Sequence, residues 1–235
     1  MEKRMTTEHD PEVERIPPPW ELTGEGFIFV IRPGSEGMMQ RSFIPPFLHE
    51  HYRGGPGAVM LVDYHTSPVG PYQEALYIPG LFDYAARRLF SITRILVSTM
   101  ISVVNGRENW GIPKDLADFN FDQYTGNARH ITMKVDHRPA LDVLVETRTP
   151  YFSFNTRWLP FRPGLVQQHQ DRALVTRPYG RGRVALADLR RCQVDPEIFP
   201  DFGQHQPLLA AHARDFRLTF PVAEQLMSPV YRHDA

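Results

Sequence analysis

Residues 118–158, DFNFDQYTGNARHITMKVDHRPALDVLVETRTPYFSFNTRW, decide the fold class. Four runs within them have strand character: Asp118 to Gln123, His130 to Val135, Leu141 to Arg148 and Tyr151 to Trp158. β-Branched and aromatic side chains recur in these runs and suit a pleated, half-buried surface. Thr125-Gly126-Asn127, His137-Arg138-Pro139 and Thr149-Pro150 separate them with residues that favour turns. Short strands at this spacing predict antiparallel meanders of a sandwich or barrel.

The pattern extends outward in both directions. Gly26 to Arg32 stops at Pro33-Gly34, Ala58 to Tyr64 follows a Gly-Gly-Pro-Gly turn, and Glu74 to Ile78 ends at Pro79-Gly80. Arg88 to Val97 reads as one more strand, and Arg183 to Val194 and Phe216 to Pro221 add two. With 22 prolines and 16 glycines punctuating the chain, a helical bundle is disfavoured. Two helices are expected. Ser98 to Glu108 opens on Ser-Thr at an N-cap and puts Met100, Val103 and Val104 on one side, and Gln204 to Ala213 is short and alanine-bearing. Met1 to Pro19 is charged and ends in three prolines, so it reads as a flexible segment ahead of a single domain over residues 20–235.

Composition removes several function classes. The formal net charge is -1, without the basic stripe a nucleic-acid partner needs; the densest basic run, residues 177–183, reads as a solvated turn. No signal-peptide h-region is visible, and the longest apolar stretch, Ile95 to Val104, is too short to span a bilayer. The single cysteine, Cys192, excludes an intrachain disulfide framework and suits a reducing compartment, so a cytoplasmic protein is expected. His49 and His51 would share a face of a strand, but no third metal ligand accompanies them and no metal is expected. Neither a phosphate-binding glycine loop nor a Gly-x-Ser-x-Gly elbow is present.

Lysine is the unusual residue. Only Lys3, Lys114 and Lys134 occur among 26 basic residues; the rest are arginines. An amine can lose its proton when buried and attack a carbonyl, whereas a guanidinium cannot. Lys134 alternates within a strand, while Lys114 follows the apolar, turn-forming Trp110-Gly111-Ile112-Pro113. It is either a surface lysine at a turn or a desolvated nucleophile able to form a Schiff base. A second segment, Gly70-Pro71-Tyr72-Gln73-Glu74, puts a phenol and a carboxyl two residues apart, on one face of a strand. They are either wet groups at a turn or an acid–base pair in an apolar interior.

Taken together, the two segments resemble the acetoacetate decarboxylase family. The match is Gly70, Tyr72 and Glu74, then Gly106, Arg107, Glu108, Pro113, Lys114 and Leu116, in that order and spacing. The resemblance implies a mainly β, closed antiparallel barrel-like fold around an apolar cavity, and assembly as a homo-oligomer. It implies Lys114 as Schiff-base lysine and Glu74 as its acid–base companion. Tyr72 and Trp110 become substrate-binding candidates; cavity size depends on which aromatics point inward, with Tyr77 and Phe154 as further candidates that are either core or lining. The implied reaction is decarboxylation of a small-molecule β-keto acid through an iminium, with no metal or organic cofactor.

Three departures bear on the substrate. Asp115 stands where the family carries a second lysine after the nucleophile, and strand alternation predicts that it points away from the pocket. The family's arginine near the start of the first strand aligns with Gly24, which leaves Arg32 as its substitute. The second pocket carboxylate falls at Val59. These losses keep two alternatives open: a lysine-dependent aldolase or dehydratase on an oxo acid, and a non-catalytic barrel that binds a small ligand.

Overall fold

Among the described residues, the turn-punctuated runs fold into two sheets and one α-helix. The computed structural model describes residues 13–32, 43–159, 162–203 and 206–226. In chain order the elements are β1 (Trp20–Ile31), β2 (Tyr52–Gly54), β3 (Gly57–Thr66), β4 (Tyr72–Ile78), β5 (Leu81–Tyr84), β6 (Arg87–Phe90) and β7 (Arg94–Val97). Then come α1 (Met100–Trp110), β8 (Lys114–Leu116), β9 (Asp118–Gln123), β10 (Ala128–Val135), β11 (Arg138–Thr147) and β12 (Phe152–Asn155). The last are β13 (Leu165–His169), β14 (Arg172–Thr176), β15 (Tyr179–Val194), β16 (Leu209–Phe220) and β17 (Glu224–Leu226).

The large sheet runs β8-β7-β4-β3-β1-β16-β15-β11-β10-β9, with β12 added on β15. Alternation sends Phe27, Phe29, Leu61, Ala75 and Leu96 to one face, where they meet Ile131, Met133, Val143 and Val145 from the sheet's other end. One apolar core shared by both ends requires a strongly curled sheet. Each of these side chains except that of Ala75, fully buried, contributes on the order of 1.5–3 kcal/mol. Among the described residues no strand pairing joins β8 to β9, so the expected closed barrel is a curled sheet whose ladder stays open.

A smaller sheet, β17-β14-β13-β6-β5-β2, packs Leu48, Phe82, Leu89, Val166 and Val175 into a separate cluster. The segment Arg88 to Val97, expected as one strand, is two. β6 belongs to the small sheet and β7 to the large one, and the chain crosses between them at Ser91–Thr93. Two pairs are parallel, β6 with β13 and β7 with β8. Parallel neighbours cannot be joined by a hairpin, and α1 supplies the crossover from β7 to β8.

Other expectations are corrected by packing. The helix expected over Gln204 to Ala213 is absent where the chain is described. Residues 204 and 205 lie outside the described residues, and Leu209–Phe220 is a strand bonded to β1 on one side and β15 on the other. Two ladders outweigh the weak helical preference of three alanines. The basic run 177–183 is not a turn but leads into β15. Met100 is half exposed, and α1 instead buries Ser102, Val103, Asn105, Gly106 and Trp110. Residues 13–19, expected to be flexible, dock on that helix. Asn105 Oδ1 accepts from the Ile16 amide at 2.8 Å, and Asn109 Nδ2 and Trp20 Nε1 both donate to the Ile16 carbonyl, at 2.8 and 3.0 Å. His49 and His51 diverge in a 3-10 turn, each bonded to a backbone carbonyl. No helix among the described residues is long and apolar enough to cross a membrane.

Cys192 illustrates burial acting on chemistry. Desolvation, with the charges of Asp201 and Asp142 adding to it, pushes its thiol up to about 12. Only on the order of one thiol in ten thousand is then thiolate at pH 8. Disulfide reagents at that pH should label native protein far more slowly than urea-unfolded protein; equal rates would contradict this placement.

Candidate active site

The sequence around α1 builds the site. Thr99, in extended conformation, precedes the helix, and Gly111 ends it at φ 66°, a left-handed conformation that favours glycine. A side chain at Gly111 would also meet the Gln168 carbonyl oxygen at 2.6 Å. Ile112 and Pro113 then lead into β8, whose first residue is Lys114. β8 lies beside β7 with Lys114 opposite Ile95, β7 pairs Val97 with Glu74 on β4, and β4 pairs Tyr72 with Tyr64 on β3. Alternation therefore puts Tyr64, Tyr72, Glu74 and Lys114 on one face. That face is opposite the curled core and is covered by α1.

The four side chains are buried together with Ser102 of α1. Lys114 is 4% exposed and Glu74 3%. Lys114 Nζ donates to Glu74 Oε2 at 3.0 Å and to Ser102 Oγ at 3.0 Å, and lies 3.5 Å from the Tyr72 hydroxyl. The Tyr64 hydroxyl donates to the other carboxylate oxygen, Glu74 Oε1, at 3.0 Å. Burial holds the Tyr72 phenol well above its ordinary pKa, and the Glu74 charge raises it further. Burial and then Glu74 do the same to Tyr64. Both phenols thus stay protonated at neutral pH, as hydrogen-bond donors beside an ion pair in low dielectric.

The motif around the lysine has a mechanical reading. A Cβ at Gly106 would stand 2.6 Å from Lys114 Cδ and 2.8 Å from Cε, so only glycine lets the lysine stem lie against the helix. Arg107 Nε donates to the Lys114 carbonyl at 2.8 Å, and its Nη2 to Asp115 Oδ1 at 2.7 Å. Arg94 pairs with the other oxygen of Asp115. Asp115 thus faces away from Lys114, as alternation requires, with two arginines answering its charge. Gly106→Ala should leave the melting temperature within a few degrees while displacing Nζ. Because a misplacement of about 1 Å can cost on the order of 100-fold, the rate of covalent trapping at Lys114 should fall by roughly that factor. An unchanged rate would show that the stem accommodates the methyl.

Lys114 and Glu74 stand at the inner end of a cavity of about 450 Å³. Its walls are almost wholly apolar, with Leu22, Met60, Leu76, Ile95 and Phe220 among them, and Pro56, Thr156, Pro163 and Pro178 stand at the more exposed end. Lys114 and Glu74 are the only Lys, Arg, His, Asp or Glu side chains among the described lining residues. The cavity lies on the outer face of the curled sheet, between it, α1 and the small sheet, rather than inside the curl.

The expected residues divide accordingly. Lys114, Glu74, Tyr72 and Trp110 come together at the cavity; Trp110 packs its ring edge-on to Trp20 at 5.0 Å and donates its indole N–H to the Pro221 carbonyl. Arg32 does not join them: it follows the end of β1, is exposed and lies outside the cavity lining. Gly24 leaves no space for a side chain, since its Cβ would stand 2.1 Å from the Asp63 carbonyl oxygen. Val59 and Tyr77 point into the curled core, and Phe154 sits on β12 against Trp158. Sequence reading missed Tyr64 and Ser102. Tyr64 was legible only through its register opposite Tyr72, and Ser102 through its i, i+4 relation to Gly106 on α1.

Comparison with known proteins agrees with this architecture. The family model for acetoacetate decarboxylase (ADC) matches residues 9–155. Sequence comparison with curated proteins gives no significant match. Among solved structures, an acetoacetate decarboxylase superposes with a TM-score of 0.67 at 12% identity, covering 90% of this chain and 91% of that one. The acetoacetate decarboxylase of Legionella pneumophila gives 0.64 at 11% identity, over 90% and 88% of the two chains. The enduracididine biosynthesis enzyme MppR, complexed with pyruvate, gives 0.62 at 15% identity, over 92% and 93%. At such identities the superpositions establish the fold. The family match spans more than half of the sequence and includes β4, α1 and β8, and on that ground the chain belongs to the acetoacetate decarboxylase family.

Proposed function

We propose that this protein is a Schiff-base-forming lyase of the acetoacetate decarboxylase type, acting through Lys114 on the carbonyl of a β-keto acid. The observation that carries the reading is the Lys114 amine held at 3.0 Å from Glu74, buried at the inner end of an apolar cavity. Glu74 takes a proton from the ammonium, and the free amine adds to the carbonyl carbon. The carbinolamine loses water, with Glu74 returning its proton to the leaving hydroxyl. The resulting iminium accepts the electron pair of the breaking carbon–carbon bond as CO2 departs. Protonation of the enamine and hydrolysis then release the ketone and restore the amine. Apolar walls support the CO2-releasing step, because an anion whose charge disperses in the transition state is poorly solvated beforehand. Tyr64 and Ser102 position the pair: one holds Glu74, the other the amine.

One observation favours a second reading within the same chemistry. No arginine or second acid stands among the described lining residues, so a substrate carboxylate meets no fixed cation other than the lysine itself. Without the polar partners that the resemblance to the family implies, the same iminium serves an aldolase or dehydratase, which uses it without losing CO2. The fold neighbour MppR is also known complexed with the condensation product of pyruvate and imidazole 4-carboxaldehyde.

The test is incubation with acetoacetate and other oxo acids, reduction with borohydride, and peptide mass mapping. A reduced adduct on Lys114 with CO2 release supports the decarboxylase. An adduct without CO2 release moves the assignment to the aldolase or dehydratase. Absence of an adduct with every keto compound leaves only the non-catalytic, ligand-binding reading.

A further inference from the structure

We infer that the substrate carries an extended apolar tail, an alkyl chain or aryl group on the carbonyl side away from the reacting bond, seated in the cavity that leads from Lys114 to Pro56 and Pro178. The inference rests on the Schiff-base reading for the position of the carbonyl, and on the cavity itself for the tail.

Volume is the first argument. At about 30 Å³ for a water-sized group, a cavity of about 450 Å³ holds on the order of fifteen such groups. Acetoacetate fills about half of it at most, and its polar atoms all belong at the lysine end. The remainder is walled by side chains such as Met60, Leu76, Ile78, Phe90 and Leu218, which offer no partner for a hydroxyl, amide or charge. A polar substituent there would lose its hydrogen bonds to water without replacement, so the cavity selects against it. A methylene gains by leaving water, and that gain corresponds to about fourfold in affinity per added group.

The position of the polar groups is the second argument. Ionisable side chains cluster at the inner end, so a ligand must enter with its carbonyl leading and its tail trailing toward the mouth. Gly24 and Val59 supply no side chain to this cavity, and away from the lysine end the described lining carries no charge and one hydroxyl, Thr156 at the more exposed end. A carbonyl head with a hydrocarbon tail of roughly eight to ten carbons matches this distribution.

The experiment uses linear methyl ketones of about four to eleven carbons, which are chemically stable and are the products expected of a 3-oxo acid decarboxylase. Equilibrium binding is measured by calorimetry to the full chain and to a Lys114→Met/Glu74→Gln double variant. That variant removes both charges at nearly constant volume and cannot form an imine. Borohydride trapping is run in parallel on the unmodified protein. The expected result is affinity rising about three- to fourfold per methylene in both proteins, with a plateau once the cavity is full. A third protein, Ala58→Phe, which narrows the cavity on β3 away from Lys114, should move that plateau to shorter ketones while trapping of acetoacetate persists. Affinity independent of chain length in the unmodified protein overturns the inference, whether or not the variants fold. Graded affinity with no trapping at Lys114 overturns the Schiff-base reading and leaves the apolar tail standing.

Discussion

Lys114→Arg is expected to abolish borohydride trapping and to lower turnover by at least about 10⁴-fold while the protein remains folded. The reason is chemical before it is structural. Arginine keeps a positive charge against Glu74 and Ser102, which Lys114 contacts at 3.0 Å, so the buried carboxylate is not left alone. Its guanidinium cannot be deprotonated within proteins and provides no nucleophilic nitrogen, so every step through the imine is lost. Removal of a covalent nucleophile commonly costs four to six orders of magnitude, because the remaining machinery has nothing to act upon. Guanidinium bulk will crowd the Gly106 face, where the lysine stem already lies close, and the melting temperature should drop by several degrees. Activity retained within about tenfold would reject Lys114 as the nucleophile, whatever happened to stability.

Glu74→Leu should have the largest effect on stability. Lys114 and Glu74 are each about 95% buried as side chains and answer one another's charge. Removing one partner of a buried pair strands the other and costs roughly 3–5 kcal/mol, a large share of the stability of an ordinary domain. The Tyr64 hydroxyl, which donates to Glu74 Oε1, loses its acceptor as well. Denaturant titration should show this loss. Restoring apolar balance with Lys114→Met in the same chain should recover much of it, since two matched apolar groups can replace a buried pair at little cost. Failure of the double variant to recover would mean that the pair stabilises the fold through its geometry rather than through mutual neutralisation. Glu74→Gln, which keeps the shape and a hydrogen-bond acceptor, separates the roles. It keeps an acceptor for Lys114 and Tyr64 but not the charge, so it should lose less stability than Glu74→Leu, and it should slow trapping by roughly 10²–10⁴-fold, the usual worth of a positioned acid–base group.

Much of this site was legible before any coordinates. The order of Tyr72, Glu74, Gly106, Arg107 and Lys114 pointed to the lysine and its carboxylate, and alternation placed Asp115 on the far side of β8, where Arg94 and Arg107 hold it. Arg32, offered as a substitute from the far end of the first strand, lies exposed beyond β1 and outside the cavity lining. The family's second carboxylate was aligned with Val59, and the register of Val59 opposite Tyr77 sends that position into the core rather than the cavity. The Gln204 to Ala213 segment was read from local preference, which two flanking ladders override.

The sequence by itself determined that the chain is mainly β, that one helix precedes Lys114, and that this lysine and Glu74 belong to one constellation. The first two follow from local chemistry, turn residues and period-two alternation; the third came from the order and spacing of residues that resemble the acetoacetate decarboxylase family. The tertiary structure alone decided that β7 and β8 run parallel across a helical crossover, which brings Glu74, Ser102 and Tyr64 around the amine. It also decided that the cavity lies on the outer face of the curled sheet. Both depend on which strand lies beside which, and pairing between distant segments is set by the burial of whole faces rather than by any stretch of residues.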